Sequence, residues 1–307
     1  MSDAPLVSIL IPAYNERFFG EALASACRQS YEALEVVVLD DSPGEGIERA
    51  VQAAGDNRVR YVRNPHRRGF HGNFTACFEA ARGEYVKFLN DDDRLHPHCV
   101  KFFAGILRDN PSVALATSRR FVIDATGARQ PDLTGTVPIA LVSAFVPGAE
   151  LGNFALMNML NLIGEPTTAM FRRRDLQPEP GGIFSWGEEY HCLADLSLWL
   201  RLLARGAAFY CAEALSEFRL HSGQEQLGDA RLSCLVERRR IAQRARAAGF
   251  LAASGQYLAA LRSARAFGAQ TDFSRVSPDV AARVREELRA LDSEIASLGG
   301  EPVPAPL

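Results

Sequence analysis

The stretch Tyr85-Val86-Lys87-Phe88-Leu89-Asn90-Asp91-Asp92-Asp93 decides how this chain is read. A mostly apolar run, Tyr85 to Leu89, stops abruptly at three carboxylates. Its length and bulk suit a buried strand. A strand carrying carboxylates at its C-terminal tip is how an α/β sheet presents a divalent cation to a phosphate-bearing ligand. The competing reading is a solvated acidic turn ahead of the helix that follows Pro97. The flanking chain has to choose between them.

Upstream and downstream, short apolar runs alternate with helical periodicity. Val7 to Ile11, closed by Pro12, reads as a strand, as do Glu35 to Leu39, Val59 to Val62, Glu84 to Leu89 and Val113 to Thr117. Between them, residues 18–29, 46–54, 73–81 and 97–108 carry helical spacing; Phe74, Cys77, Phe78 and Ala81 share one face. This alternation with short connections predicts an α/β fold, a mostly parallel sheet flanked by helices on both faces. Ligands of such sheets bind at the carboxyl ends of the strands. Three of those ends are polar here: Pro12 to Glu16, Asp40-Asp41, and Asn90 to Asp93. No G-x-G-x-x-G or G-x-x-x-x-G-K-[ST] loop is present. Phosphates bound here would therefore be neutralised by a metal and side chains rather than by a glycine cradle.

The remainder is less regular. Asp124-Ala125-Thr126-Gly127 predicts a hairpin turn, residues 153–163 a helix and Ala169 to Arg172 a strand. Residues 186–205 predict an amphipathic helix stopped by Gly206. From Ala230 the chain reads as a set of helices, with a Pro-rich, disordered tail over 301–307. A formal charge of -3 offers no basic face for nucleic acid. The six cysteines lack C-x-x-C pairing and zinc spacing, and most read as small core residues. The first strand starts at once, without a secretory signal, and Leu141 to Ile163 is too interrupted to cross a membrane. A soluble, reducing, cytoplasmic setting is expected.

Several ordered motifs resemble the inverting glycosyltransferases of family 2, which have the GT-A fold. Val7-Ser8-Ile9-Leu10-Ile11-Pro12-Ala13-Tyr14-Asn15-Glu16 is similar to that family's first strand and P-x-Y-N-E motif. Gln29-Ser30-Tyr31 and Leu34 to Ser42 resemble its second strand with paired aspartates. Gly69, Gly72-Asn73 and Ala81-Arg82-Gly83-Glu84-Tyr85 resemble the helix that leads into its G-E-Y strand. Asn90 to Asp93 stands at its D-x-D-D metal motif, with Asn90 replacing the first acid. Gly164-Glu165-Pro166-Thr167 and Arg172-Arg173 resemble its acceptor-side segment. Asp195-Leu196-Ser197-Leu198-Trp199-Leu200-Arg201 resembles the segment of the catalytic base, and Phe218-Arg219-Leu220-His221 its closing Y-R-x-H. The resemblance spans roughly residues 5–225.

It implies a metal-dependent sugar transfer from a nucleotide-diphospho-sugar, a pyrimidine nucleotide being favoured, to an acceptor hydroxyl with inversion. The acceptor would be a sugar, lipid-linked or protein hydroxyl in bacterial-type glycan synthesis. Asp195 is the candidate general base, with Glu188 and Glu189 as runners-up and a helix cap as the bland alternative. Asp92 is the candidate ligand for Mg²⁺ or Mn²⁺, and His221 a second, although a lone His is often structural. Asp41 would accept a hydrogen bond from the nucleotide, or simply form an Asx turn. Tyr14 would stack on the base, or only pack at a strand end. Pro12, Ala13, Glu16, Asn73 and Asp91 would line the same pocket, and Arg67 and Arg68 face a diphosphate. Glu165 and Thr167 would shape the acceptor side.

Residues 1–225 are thus expected to form the GT-A domain, with a nucleotide-sugar half (1–120) and an acceptor half (121–225). Residues 226–300 would form a helical C-terminal region suited to dimerising, covering the acceptor cleft or binding a partner. Its basic run Arg238-Arg239-Arg240, with Arg244 and Arg246, reads as a solvated helix face or as a peripheral dock on an anionic membrane. A non-catalytic nucleotide-sugar-binding module is the alternative to an enzyme. A nucleotidyltransferase ranks below both, for want of a Gly-rich loop after the first strand.

Overall fold

Seven consecutive buried residues, Val7–Ala13, make β1 a central strand covered on both faces. In the computed structural model, which describes residues 4–222, 231–273 and 276–299, β1 pairs in parallel with β2 (Leu34–Asp40) and β4 (Tyr85–Phe88). β2 pairs in parallel with β3 (Val59–Arg63). The crossovers are α1 (Glu16–Cys27), α2 (Gly46–Ala54) and α3 (Gly69–Ala80). Strand order β3-β2-β1-β4 reverses direction at β1. That switch point opens a crevice beyond the carboxyl ends of β1 and β4, where residues 12–16 and 90–93 lie.

The sheet continues through short β5 (Arg94–Leu95), helix α4 (Cys99–Asp109), long β6 (Val113–Ile123) and its hairpin partner β7 (Arg129–Gln130). Then come β8 (Ala144–Val146), α5 (Gly148–Asn158), β9 (Met170–Arg172), α6 (Ala194–Leu203) and β10 (Ala207–Arg219). β9 runs antiparallel between β4 and β6, while β10 returns parallel to β6. The whole is a mixed α/β sheet of order β3-β2-β1-β4-β9-β6-β10-β5. Period-two alternation along β1 divides the core. Ile9 and Ile11 join Phe19, Val100 and Phe103 on one face, and Leu10 joins Phe74, Phe171 and Trp199 on the other. Helices α7 (Arg231–Ala247), α8 (Ser254–Ala269) and α9 (Pro278–Ser297) belong to that second cluster through Leu235, Ile241, Leu261, Val284 and Leu291.

Three expectations are corrected. The helix placed at 153–163 forms at Gly148–Asn158, beginning after Pro147 and ending where Met159 turns left-handed, φ 49°. The helix placed at 186–205 forms only at Ala194–Leu203, because Gly187 is left-handed at φ 77° and Ser185 pairs with Glu189 as a β-bridge. Two cysteines are not lone core thiols: Cys192 and Cys234 are joined in a disulfide across 42 residues, which local spacing does not reveal. The arginines of the basic run all have partners within the molecule, with Arg240 and Arg244 still exposed to solvent. Arg238 donates to Met159 O at 2.9 Å, Arg239 pairs with Glu287 and Arg240 with Glu188, while Arg244 and Arg246 lie over Trp186 and Tyr257. Among the described residues no helix is long and apolar enough to cross a membrane. The expected tail at 301–307 lies outside the described residues.

Candidate active site

The three carboxylates of the acidic turn point to three different tasks. Asp91 Oδ2 accepts the backbone N–H groups of Tyr14 and Asn15, each at 2.6 Å, and so ties the tip of β4 to the tip of β1. Burial pushes its carboxyl up to about 7, against the pull of those two donors. Asp93 is fully buried and turned inward. It accepts Thr167 Oγ1 at 2.6 Å, Asn90 Nδ2 at 3.1 Å and Arg219 N at 3.0 Å. Burial, reinforced by Asp92 and Glu165, raises its pKa well above the usual carboxylate range. Asp92 Oδ2 instead lies 3.0 Å from His221 Nε2.

That pairing is a product of the fold. His221 follows the end of β10, 129 residues from Asp92, and its ring packs on Phe18 at 4.8 Å. Arg219 is fully buried in the same wall. It donates to Asp92 O at 2.8 Å and to Glu21 at 2.6 Å, and its guanidinium covers Phe18 at 4.5 Å. Its positioning role was not read from the sequence beyond its place in the F-R-L-H segment. The donor set of Asp92 and His221, an oxygen and an imidazole nitrogen, suits Mn²⁺ and tolerates Mg²⁺. In the same turn, Asn90 Oδ1 is buried without a hydrogen-bond partner, so a further acceptor is available there.

At the C-terminal end of β2, the carboxylates again separate. Asp40, not Asp41, makes the Asx turn, accepting Ser42 N at 2.8 Å. Asp41 is buried and accepts Asn64 Nδ2 at 3.0 Å, Arg68 N at 2.8 Å and Gly69 N at 2.9 Å. It thereby satisfies the first free donors of α3. Asn73 bridges strand ends, donating to Leu39 O at 3.1 Å and Ala13 O at 3.4 Å. Glu16 accepts Gly46 N at 3.1 Å, and its carboxylate lies so close to Gly44 and Gly46 that a Cβ at either would collide with it. Pro12 and Ala13 are buried in β1, and the Arg68 side chain donates to Asn64 Oδ1 at 3.1 Å. Tyr14 is 46% exposed with Arg67 over its ring at 4.7 Å. Tyr14 and Arg67 are thus the open face of this corner, and the residues around them are its frame.

Asp195 is the second residue of α6. The cap is Leu193, so the capping alternative does not hold. Burial pushes the Asp195 carboxyl up to about 7, Glu165 adds to the rise and Arg120 opposes it. Glu165 pairs with buried Arg120 at 2.9 Å through Oε2, while its buried Oε1 has no hydrogen-bond partner. The segment 161–168 holds this corner together. Asn161 Nδ2 donates to Gly164 O at 2.9 Å and reaches Asp195 Oδ2 at 3.5 Å. Trp199 Nε1 of α6 donates to Gly164 O at 2.8 Å. Gly164 sits at φ 109°, beside Thr168 and Arg120 side chains that leave no room for a Cβ. At its far end, Thr167 Oγ1 receives Asn90 N at 3.0 Å as it donates to Asp93, and buried Lys87 donates to Thr167 O. The runners-up are engaged elsewhere: Glu188 pairs with Arg240 at 2.9 Å, and Glu189 lies 2.7 Å from His71 Nδ1.

The family model described as "Glycosyl transferase family 2" matches residues 8–177. An uncharacterised protein of Mycobacterium tuberculosis is 31% identical over 229 residues, covering 69% of this chain and 66% of that protein. A GalNAc(5)-diNAcBac-PP-undecaprenol beta-1,3-glucosyltransferase of Campylobacter jejuni is 34% identical over 95 residues, 30% of this chain and 31% of its own length. The chain therefore spans about two thirds of the first of these relatives and under a third of the second. Among solved structures, S. aureus TarS 1-349 in complex with UDP-GlcNAc superposes with a TM-score of 0.57 at 16% identity, covering 96% of this chain and 92% of that one. This last is a likeness of fold.

Proposed function

Given that this chain belongs to glycosyl transferase family 2, we propose that it moves a sugar, with inversion, from a nucleoside-diphosphate donor to an acceptor hydroxyl. One observation carries the assignment of roles. The single segment 161–168 is hydrogen-bonded at one end to the acidic turn, through Thr167, and at the other to the helix of Asp195. Donor-side and acceptor-side carboxylates are thus built around one short strap.

In this reading Asp195 takes the proton of the acceptor hydroxyl as its oxygen bonds to the anomeric carbon. The bond from that carbon to the diphosphate oxygen breaks, and its electron pair leaves with the nucleoside diphosphate. A carboxyl at about 7 suits the task, because at neutral pH it is both partly ionised and basic enough to hold the proton. Asp92 and His221 would hold Mg²⁺ or Mn²⁺, which supplies neutralisation of the diphosphate charge as a Lewis acid. Tyr14 offers a ring for a pyrimidine, and Arg67 a cation beside it. The UDP-GlcNAc of the TarS complex supports a UDP-sugar donor. The lipid-linked substrate in the Campylobacter relative's name supports an acceptor displayed on a diphospholipid.

The test is transfer from a panel of UDP-sugars to undecaprenyl-diphosphate-sugar acceptors, with the product's anomeric configuration read by NMR. A product with retained configuration would exclude a single displacement by an Asp195-activated hydroxyl. Donor binding without transfer to any acceptor would favour a binding module.

A further inference from the structure

We propose that His71, Glu189 and His191 form a second metal site, distinct from Asp92 and His221, that takes Zn²⁺ or a neighbouring first-row transition ion. One ligating atom from each lies within 4.8 Å of the others. His71 Nδ1 is 2.7 Å from Glu189 Oε1, and the His71 and His191 rings stack at 4.5 Å. Two imidazoles and a carboxylate are a donor set for Zn²⁺, Co²⁺, Ni²⁺ or Fe²⁺, and a poor one for Mg²⁺ or Ca²⁺.

The backbone arranges this convergence. Glu189 pairs with Ser185 as a β-bridge, so the chain around it is extended. In extended chain, residues two apart share a face. Tyr190 points into the core at 1% exposure, which leaves Glu189 and His191 together on the outer side. His71 comes to them from the first turn of α3. Bonds of about 2.0–2.2 Å place zinc ligands roughly 3.5 Å apart, so the group must close by about an ångström. Glu189 and His191 are exposed and can make that movement by side-chain rotation. The support around them is firm. Glu237 accepts His191 N at 3.0 Å and Leu193 N at 2.9 Å, Cys192 is tied to Cys234, and Phe70 and Phe184 flank His71 at 5.3 Å.

A hydrogen-bonded His–Glu pair would account for His71 and Glu189 but gives no reason for a second imidazole beside the same carboxylate. An ion shared by all three does. It would pin the loop that leads, four residues on, into Asp195 against the helix that Asp41 anchors. The binding part of this inference is independent of sugar transfer; only its consequence for Asp195 rests on that reading.

The experiment uses the full-length protein, stripped with chelator and titrated with Zn²⁺ and with Co²⁺ alone. Wild type is expected to take up about one tightly held Zn²⁺, to show Co²⁺ d–d absorption of low coordination number, and to melt at higher temperature with zinc. His191→Ala and Glu189→Gln should each weaken zinc binding by about a hundredfold or more, since even supporting residues of such sites cost 10–100-fold. Asp92→Ala should retain it. Equal zinc affinity in wild type, His191→Ala and Glu189→Gln overturns the site, as does no zinc uptake by wild type. Glu189→Gln keeps the side chain's size, so it decides the matter if His191→Ala does not fold.

Discussion

At the scale of the residue, the fold assigns different work to carboxylates that are neighbours in sequence. Asp91 closes a strand joint, Asp93 is a buried anchor, and Asp92 faces His221. Replacing Asp93 with Ala removes the buried acceptor used by Thr167 Oγ1 and Asn90 Nδ2, and is expected to cost about 2–3 kcal/mol in denaturant unfolding. Asp92→Asn should cost transfer activity much more than stability. Asp195→Asn should lower transfer by about 10²–10⁴-fold, the span of a general base. It should also melt no lower than wild type at pH 8, because a neutral amide avoids the burial penalty of the carboxylate. The sign follows from linkage. Asp195 and Asp91 hold their protons to about 7 in the native state, while an unfolded aspartate releases its proton near 3.9. Between those values the native state binds more protons, so their contribution to stability declines as pH rises from about 4 through 7. The melting advantage of Asp195→Asn should therefore shrink toward pH 5, measured by calorimetry across that range. An advantage that persists unchanged at pH 5 would refute the burial argument. The family resemblance singled out Asp92 and Asp195 in the sequence as candidate metal ligand and candidate base. The inward turn of Asp93 was not legible, because its partners Thr167 and Arg219 lie 74 and 126 residues away.

At the scale of the element, the loop that precedes α6 is short of regular structure and is held from outside. Residues 179–193 contain left-handed Gly182 and Gly187 and two isolated β-bridges, so no helix can run through them. Helix α7 supplies the restraint through Glu237, through Arg240 on Glu188, and through the Cys192–Cys234 disulfide. Cys192→Ser with Cys234→Ser, or reduction by dithiothreitol, should lower stability by about 2–4 kcal/mol, the usual worth of such a closure. Limited proteolysis should then cut first near 186–193, where loosened backbone becomes accessible. An unchanged melting temperature and cleavage pattern after complete reduction would show that Glu237 and Arg240 suffice. The strands and helices of the first half were readable because each is a local pattern of period two or 3.6. The sequence pattern carries the helix too far upstream because Leu196 to Leu203 is strongly periodic and masks what precedes it.

At the scale of the whole molecule, the C-terminal helices do not form a detached appendage. Leu235, Ile241, Leu261, Val284 and Leu291 belong to the same apolar cluster as Phe171 and Trp199 of the sheet and α6. A chain ended after residue 222 should expose that face, lose cooperative unfolding and aggregate, as followed by light scattering and thermal melts. A soluble, cooperatively melting product that binds UDP would mean that the first 222 residues fold alone. By itself, the sequence determined the α/β alternation, the crevice at the strand ends, the absence of a glycine cradle and the family resemblance. All of these are carried by local periodicity and short motifs. Only the tertiary structure decided which carboxylate of each group faces its partner, which cysteines join, and where the arginines of α7 are spent. It also brought His71 beside Glu189 and His191. Those outcomes depend on contacts between residues tens to more than a hundred positions apart, and burial changes the chemistry of each group only once the chain has closed around it.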